Sequence, residues 1–235
     1  MLVILLAAIS FIGYIAVKIL GTTRGELVSG VVGGLVSSTG TTLTNARRAA
    51  DGADARTLAA GTLGESAVSC LLTAVLTVVL APAVMWGLLA SLAAAAIVMV
   101  VYALILARNG PKEHAQQMTK NPFEIRSVFI LALTLVAAGF MARADATWFG
   151  EQGLLVVSLL SGLADVDAAT LTVMGMGTLS TSVSSFAIAL AMASNIVAKA
   201  ADALLLGSWA FGLRVAAGSA LAVVAGAIIF WAMPT

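Results

Sequence analysis

The stretch SGLADVDAATLT, Ser161 to Thr172, decides the fold of this protein because it puts two carboxylates inside an apolar run. Asp165 and Asp167 lie near the middle of residues 152–178, which are otherwise rich in Leu, Val, Ala and Gly. An aspartate near the centre of a bilayer costs about 2.5–3.5 kcal/mol on insertion scales. If this segment lies in a membrane, the pair requires a polar cavity, a bound cation or a proton on one carboxylate.

The composition places the chain in a membrane. Of its 235 residues, 61% are hydrophobic and only 10% are charged, whereas soluble domains have roughly 45–50% apolar and about 25% charged residues. The net charge of +1 gives no case for nucleic-acid binding. Cys70 is the only cysteine, so the chain has no intrachain disulfide and no zinc-finger pattern.

Six segments are long and apolar enough to cross a bilayer as helices. They are residues 2–20, 57–80, 83–107, 127–144, 180–204 and 211–232. The first is predicted to be a retained membrane helix, because it lacks the positive start and the cleavage site of a signal peptide. The polar loop from Arg108 to Arg126 divides the chain near its middle.

Two further apolar segments, residues 26–46 and 152–178, are interrupted by Gly, Ser, Thr or Asp. At a constant offset of 128, residues 25–44 match residues 153–172 at eight of twenty positions. The same offset pairs Ser66 with Ser194 in the helices that follow. The sequence therefore predicts one membrane domain, residues 1–235, built from two repeats at about 1–115 and 122–235.

The distribution of Lys and Arg favours one topology. If both interrupted segments cross fully, these residues divide seven to five between the two sides; if both enter and return, the division is eleven to one. Positive charge accumulates on the cytoplasmic side. The second arrangement predicts an all-α integral membrane protein with two inverted repeats, each of about three transmembrane helices plus one broken or re-entrant helix. The protein then lies in the bacterial inner (cytoplasmic) membrane, with both termini on the outer side.

Broken helices survive at membrane depth only where they face protein or a water-filled cavity, and facing breaks in inverted repeats commonly form transport sites. Carboxylate, hydroxyl and carbonyl oxygens suit a hard divalent cation. Asp165 and Asp167 are therefore predicted to be metal ligands, with the cation as the substrate and no resident cofactor. The other predicted ion-binding residues are Ser37, Ser38, Thr39, Thr41, Thr42 and Thr170. The alternative for the aspartates is that ADVD caps the second half-helix.

Other polar residues within the apolar segments are predicted either to line the cavity or to bond between helices. These residues are Asn45, Glu65, Ser66, Ser194 and Asn195. Lys199 and Asp202, three residues apart, are predicted to form an ion pair near the cytoplasmic end of their helix.

No enzyme motif is present, neither a metalloprotease H-E-x-x-H, nor a G-x-S-x-G, nor a phosphate-binding loop. The leading interpretation is a secondary transporter or channel for a small ion, and a divalent cation fits the predicted site best. The predicted partners of the protein are the lipid bilayer and that ion. A homodimer is left open, and nucleic acid is not expected. The alternative function is a non-transporting regulatory membrane subunit that binds a partner protein.

Five stretches spread over most of the chain carry a family resemblance. They are ISFIGYIAVKILG, GGLVSSTGTTLTNARRA, NPFEIRS, SGLADVDAATLT and GLRVA. In these the chain resembles the C-terminal membrane domain of MgtC/SapB-type bacterial proteins, a domain-of-unknown-function family. The resemblance implies a bacterial inner-membrane protein with a loose association with Mg²⁺ homeostasis. The N-terminal MgtC-like domain of such proteins has no counterpart in these 235 residues.

Overall fold

The structure, a computed structural model, is helical throughout the residues it describes, which are 25–80, 86–108, 150–175 and 179–233. The helices are α1 (Gly25–Ala50), α2 (Ala55–Leu80), α3 (Trp86–Arg108), α4 (Gly150–Ala164), α5 (Val166–Met174), α6 (Thr181–Leu206) and α7 (Trp209–Ala232). Of these, α2, α3, α6 and α7 are long and apolar enough to cross a membrane. They correspond to four of the six predicted spans; the other two, residues 2–20 and 127–144, lie outside the described residues.

The corresponding helices of the two predicted repeats run in opposite directions. In the α2–α6 pair, Glu65 contacts Lys199 and Cys70 contacts Met192, so the numbering rises along one helix as it falls along the other. In the α3–α7 pair, the Ser91 hydroxyl donates a 2.8 Å hydrogen bond to the Gly226 carbonyl oxygen. The close approach of Gly87 to Met233 continues the same antiparallel register.

This packing gives the bundle two chemically different ends. All five arginines among the described residues lie near the end where α2 begins, α3 finishes and α7 begins. They are Arg47, Arg48, Arg56, Arg108 and Arg214. We call this the arginine end, and the other, where α2 finishes and α6 begins, the opposite end. Lys199 lies in neither, because it is buried inside the bundle.

The segment predicted to break at residues 26–46 forms one unbroken helix, α1, so the predicted break is wrong for this half. The helix is nevertheless sharply bent. Gly30 approaches Gly61, and Asn45 donates a 3.1 Å hydrogen bond to the hydroxyl of Thr62. Residues 30 and 45 of a straight helix would be about 22 Å apart, too far to reach two consecutive residues of α2.

The bend of α1 separates an arm that runs parallel to α2 from an arm that runs back. Gly34 on the first arm and Thr42 on the second both contact Glu65. The sequence between them contains Ser37, Ser38 and Gly40, and Gly/Ser pairs are a recognised cause of sharp helix kinks. The helical hydrogen bonding persists through the reversal, which explains why a bend replaces the predicted break.

The second interrupted segment is divided, as predicted, at Asp165, between α4 and α5. In a helix, Cβ points towards the N-terminus and the carbonyl oxygen towards the C-terminus. A Cβ at Gly162 would lie between Ala191 and Ser194, whereas its carbonyl oxygen accepts a 2.9 Å hydrogen bond from Asn195, further along α6. Helix α4 therefore runs parallel to α6.

Helix α5 then has to return towards the start of α6. Only residues 175–180 separate Met174, at the end of α5, from Thr181, at the start of α6. The α4–α5 hairpin thus extends from the opposite end to the middle of α6, with Asp165 at its tip. The two arms of α1 fold back similarly from the arginine end against the first half of α2.

Candidate functional site

A buried ion pair joins α2 to α6 inside the bundle. The Glu65 carboxylate on α2 and the Lys199 ammonium on α6 lie 3.4 Å apart, between Oε1 and Nζ. Glu65 is fully buried and Lys199 is 2% exposed. Removing one partner of such a pair leaves an uncompensated charge and costs about 3–5 kcal/mol. Each of the two charges therefore needs an oppositely charged partner inside the bundle.

Hydroxyl groups from two helices complete the surroundings of this pair. Glu65 Oε1 accepts hydrogen bonds from the hydroxyls of Thr42, at 2.9 Å, and Ser66, at 3.0 Å. The Lys199 ammonium donates a 3.3 Å hydrogen bond to the hydroxyl of Ser69. Through these contacts the bent helix α1 is tied to the charges carried by α2 and α6.

Asp165 caps α5. Its Oδ1 accepts hydrogen bonds from the backbone N–H groups of Asp167, at 2.9 Å, and Ala168, at 3.2 Å. This geometry is the capping role considered as the alternative, and it leaves the carboxylate charge free to act on an ion. Asn195, one turn before Lys199 on α6, donates a hydrogen bond to the carbonyl oxygen of Gly162, so the hairpin tip lies beside the part of α6 that carries Lys199.

Several buried oxygen atoms near this tip have no hydrogen-bond partner. Among them are Asp167 Oδ1, Thr170 Oγ1 and Ser161 Oγ on the hairpin, and Glu65 Oε2 and Asn195 Oδ1 on the neighbouring helices. Buried polar atoms are normally paired with protein groups or ordered water. Oxygen acceptors left open around carboxylates are suited to an ion or water molecules.

The other predicted site residues are divided between local and long-range contacts. Asn195 bonds to the hairpin through Gly162, whereas Ser194 bonds back to the Ala191 carbonyl within its own helix. Thr41 is buried, and Ser38 and Thr39 are half-buried on α1. The side chain of Ser37 lies outside the described part of the structure. The structure therefore brings Thr42, Asn45, Glu65 and Ser66 together where the second arm of α1 packs against α2.

The predicted ion pair between Lys199 and Asp202 is wrong. Residues three apart on a helix are neighbours, but Lys199 points into the bundle and pairs with Glu65 instead. Lys199 was also counted among the positive residues on the cytoplasmic side, but it lies inside the bundle. Sequence reasoning missed its role, and those of Ser69 and Thr62. The available signal was a pair of opposite charges, Glu65 and Lys199, in two different apolar spans.

Within the described residues, no three His, Cys, Asp or Glu side chains converge in a metal-binding arrangement. A cation at the hairpin tip would thus rely on two carboxylates, Asp165 and Asp167, with hydroxyl, carbonyl or water oxygens around them. Mg²⁺ is commonly held by one or two carboxylates while it keeps several waters.

Comparisons with known proteins identify a family but give no activity for it. The chain matches a family model described as "Domain of unknown function (DUF4010)" over residues 4–207. A protein of Aquifex aeolicus (strain VF5), named "Uncharacterized protein", is 31% identical over 116 residues, 47% of this chain and 50% of that protein. The chain thus spans about half the length of this relative.

No solved structure matches the chain. None of these comparisons names MgtC or SapB, so that link stays a resemblance. The family model covers most of the chain, including the bent helix, the α4–α5 hairpin and both residues of the buried ion pair. The protein therefore belongs to the DUF4010 family.

Proposed function

We propose that this protein is a secondary transporter or channel for a small ion, and that the ion is a divalent cation bound at Asp165 and Asp167. The observation that carries the proposal is a cluster of four ionisable side chains in an apolar helical bundle: the buried pair Glu65 and Lys199, and the half-buried Asp165 and Asp167 at the break between α4 and α5. Charged residues in membrane segments are costly and typically mark ion pathways. The cluster lies along α6, which contacts α2 through Lys199 and the α4–α5 hairpin through Asn195, and α1 reaches it through Thr42.

The net charge of the cluster favours a cation over an anion. The cluster contains three carboxyl groups, those of Glu65, Asp165 and Asp167, and one amino group, that of Lys199. If all four are ionised, a net charge of −2 is left in a medium of low dielectric constant. One divalent cation would cancel it. The buried oxygen atoms without partners at the hairpin tip offer the hard ligands that such an ion prefers.

The proposal includes an inverted-repeat arrangement across the bilayer of the bacterial inner membrane. The antiparallel pairs α2–α6 and α3–α7 support it, as do two re-entrant elements that fold back from opposite ends. The arginine end is assigned to the cytoplasm, because positive residues accumulate there. The site is then approached from the cytoplasm beside α1 and from outside beside α4–α5.

Cysteine labelling tests this orientation. Asp51→Cys and Arg108→Cys, both at exposed positions of the arginine end, are expected to react with impermeant maleimide only from the cytoplasm. Met233→Cys, at the opposite end, should react only from outside. A Cys70→Ser background removes the one native thiol. Labelling of Asp51→Cys and Arg108→Cys from different sides would exclude this topology.

A flux assay tests the function itself. Purified protein in liposomes is expected to pass Mg²⁺ or Mn²⁺ across the bilayer, followed with an ion-sensitive dye in the lumen. Liposomes without protein, and liposomes with the Asp165→Asn/Asp167→Asn double variant, are the controls. If flux through the wild-type protein equals that of both controls for every divalent cation, the proposal fails. The regulatory-subunit alternative then takes its place.

A further inference from the structure

The position of Lys199 raises a question about the proposed cation site. Its ammonium is a built-in cation. Lys199 lies one turn after Asn195 on α6, and Asn195 donates a hydrogen bond to the carbonyl oxygen of Gly162, three residues before Asp165, so Lys199 lies beside the hairpin tip. The side chain of lysine is a flexible four-carbon stem that can move its charge over several ångströms. If the ammonium moved onto the aspartates, it would compete directly with a transported cation.

The structure holds the ammonium elsewhere. Nζ lies 3.4 Å from Glu65 Oε1 and 3.3 Å from Ser69 Oγ, both on α2. Among the described residues, it makes no ion pair with either aspartate. Glu65 is itself fixed by the hydroxyls of Thr42 and Ser66, so α1 and α2 together hold the anchor in place.

We infer that Glu65 is a positioning residue whose ion pair keeps Lys199 off Asp165 and Asp167, leaving the aspartates open to a transported cation. This inference rests on the proposed function, because it presupposes a cation site at the hairpin tip. It gives the buried pair a task beyond stability. Glu65 controls cation affinity without being a ligand, and it does so through the lysine that it restrains.

The inference predicts different cation affinities for two variants. One lacks only the Glu65 carboxylate, and the other lacks both charges of the ion pair. In Glu65→Gln the ammonium loses its anchor and turns to the aspartates, so we expect Mn²⁺ affinity to fall about tenfold or more. In Glu65→Gln/Lys199→Gln the competing charge is also gone, and affinity should return to within about threefold of wild type. A residue that acted as a ligand could not be rescued in this way.

The experiment uses the full chain, purified in detergent, with Mn²⁺ binding measured by electron paramagnetic resonance. Asp202→Asn is the matched control, since it removes a carboxylate three residues from Lys199 on the same helix and should leave affinity unchanged. Melting temperature is recorded for each variant. Glu65→Gln is expected to fold, because the aspartates offer Lys199 another partner. Its failure to fold would contradict the inference.

The outcomes separate this inference from the proposed function. If the wild-type protein binds no Mn²⁺, both the cation site and the role of Glu65 are contradicted. If the wild-type protein binds Mn²⁺, Asp167→Asn does not, and Glu65→Gln binds as wild type does, only the role of Glu65 is contradicted. A double variant as weak as Glu65→Gln would show that Glu65 binds the ion or shapes the site, and would also overturn the inference.

Discussion

Replacing Asp167 by Asn is expected to abolish divalent-cation flux in liposomes while the protein still inserts and folds. Asp167 lies in the first turn of α5, and its buried Oδ1 has no hydrogen-bond partner, so substitution there breaks no hydrogen bond of that atom. A unit charge about 4 Å away contributes about 4 kcal/mol at an effective dielectric constant of 20. We therefore expect the amide to reduce flux roughly a hundredfold or more.

Asp165→Asn separates the cation-binding role from the capping role. Asn caps helices about as well as Asp, so the bonds to the backbone of Asp167 and Ala168 can persist in the variant. If the charge matters, flux falls although the melting temperature is kept. Ser37→Ala and Thr39→Ala remove neutral groups and should cost less. Wild-type flux in both Asn variants would refute a cation site at the hairpin tip.

Gly162→Ala is expected to destabilise the protein strongly, because α4 and α6 leave no room for a side chain at this position. A Cβ at this position would lie 2.7 Å from the Cα of Ala191, and backbone cannot move aside as a side chain can. The helices would have to separate, which also breaks the hydrogen bond from Asn195. We expect a loss of about 2–4 kcal/mol in the free energy of unfolding, from overpacking and the lost bond.

A second glycine of the same hairpin provides the matched control. Gly175, just after α5, is exposed and has φ −70°, and an added Cβ would meet nothing closer than 3.3 Å. Gly175→Ala should therefore unfold within about 0.5 kcal/mol of wild type in detergent. Equal stability of Gly162→Ala and Gly175→Ala would mean that α4 does not pack against α6 as described.

The spans and the divided hairpin could be predicted from local sequence. Continuous apolar runs predicted α2, α3, α6 and α7, because each needs only length and hydrophobicity to be a membrane helix. The break at Asp165 was also predicted, because aspartate competes for backbone N–H groups and so favours a helix start. Both are properties of a few consecutive residues.

The bend of α1 could not be predicted in the same way. Its Gly, Ser and Thr residues resemble those of a break, yet the helix continues through them and folds back on α2. The reversal depends on Gly30 and Gly34, which let one arm approach Gly61 and Glu65, and on Thr42 and Asn45, which bond the other arm to the same turn of α2. These contacts exist only after the helices pack.

The sequence by itself determined that this protein is an α-helical membrane bundle with carboxylates in its interior, because composition and hydrophobic length suffice for that. Only the tertiary structure decided which charges meet. Lys199 stands three residues from Asp202 but pairs with Glu65, which is 134 residues away in the chain. The reason is that a buried charge needs a partner inside the same low-dielectric space, and helix packing alone determines which residues share that space.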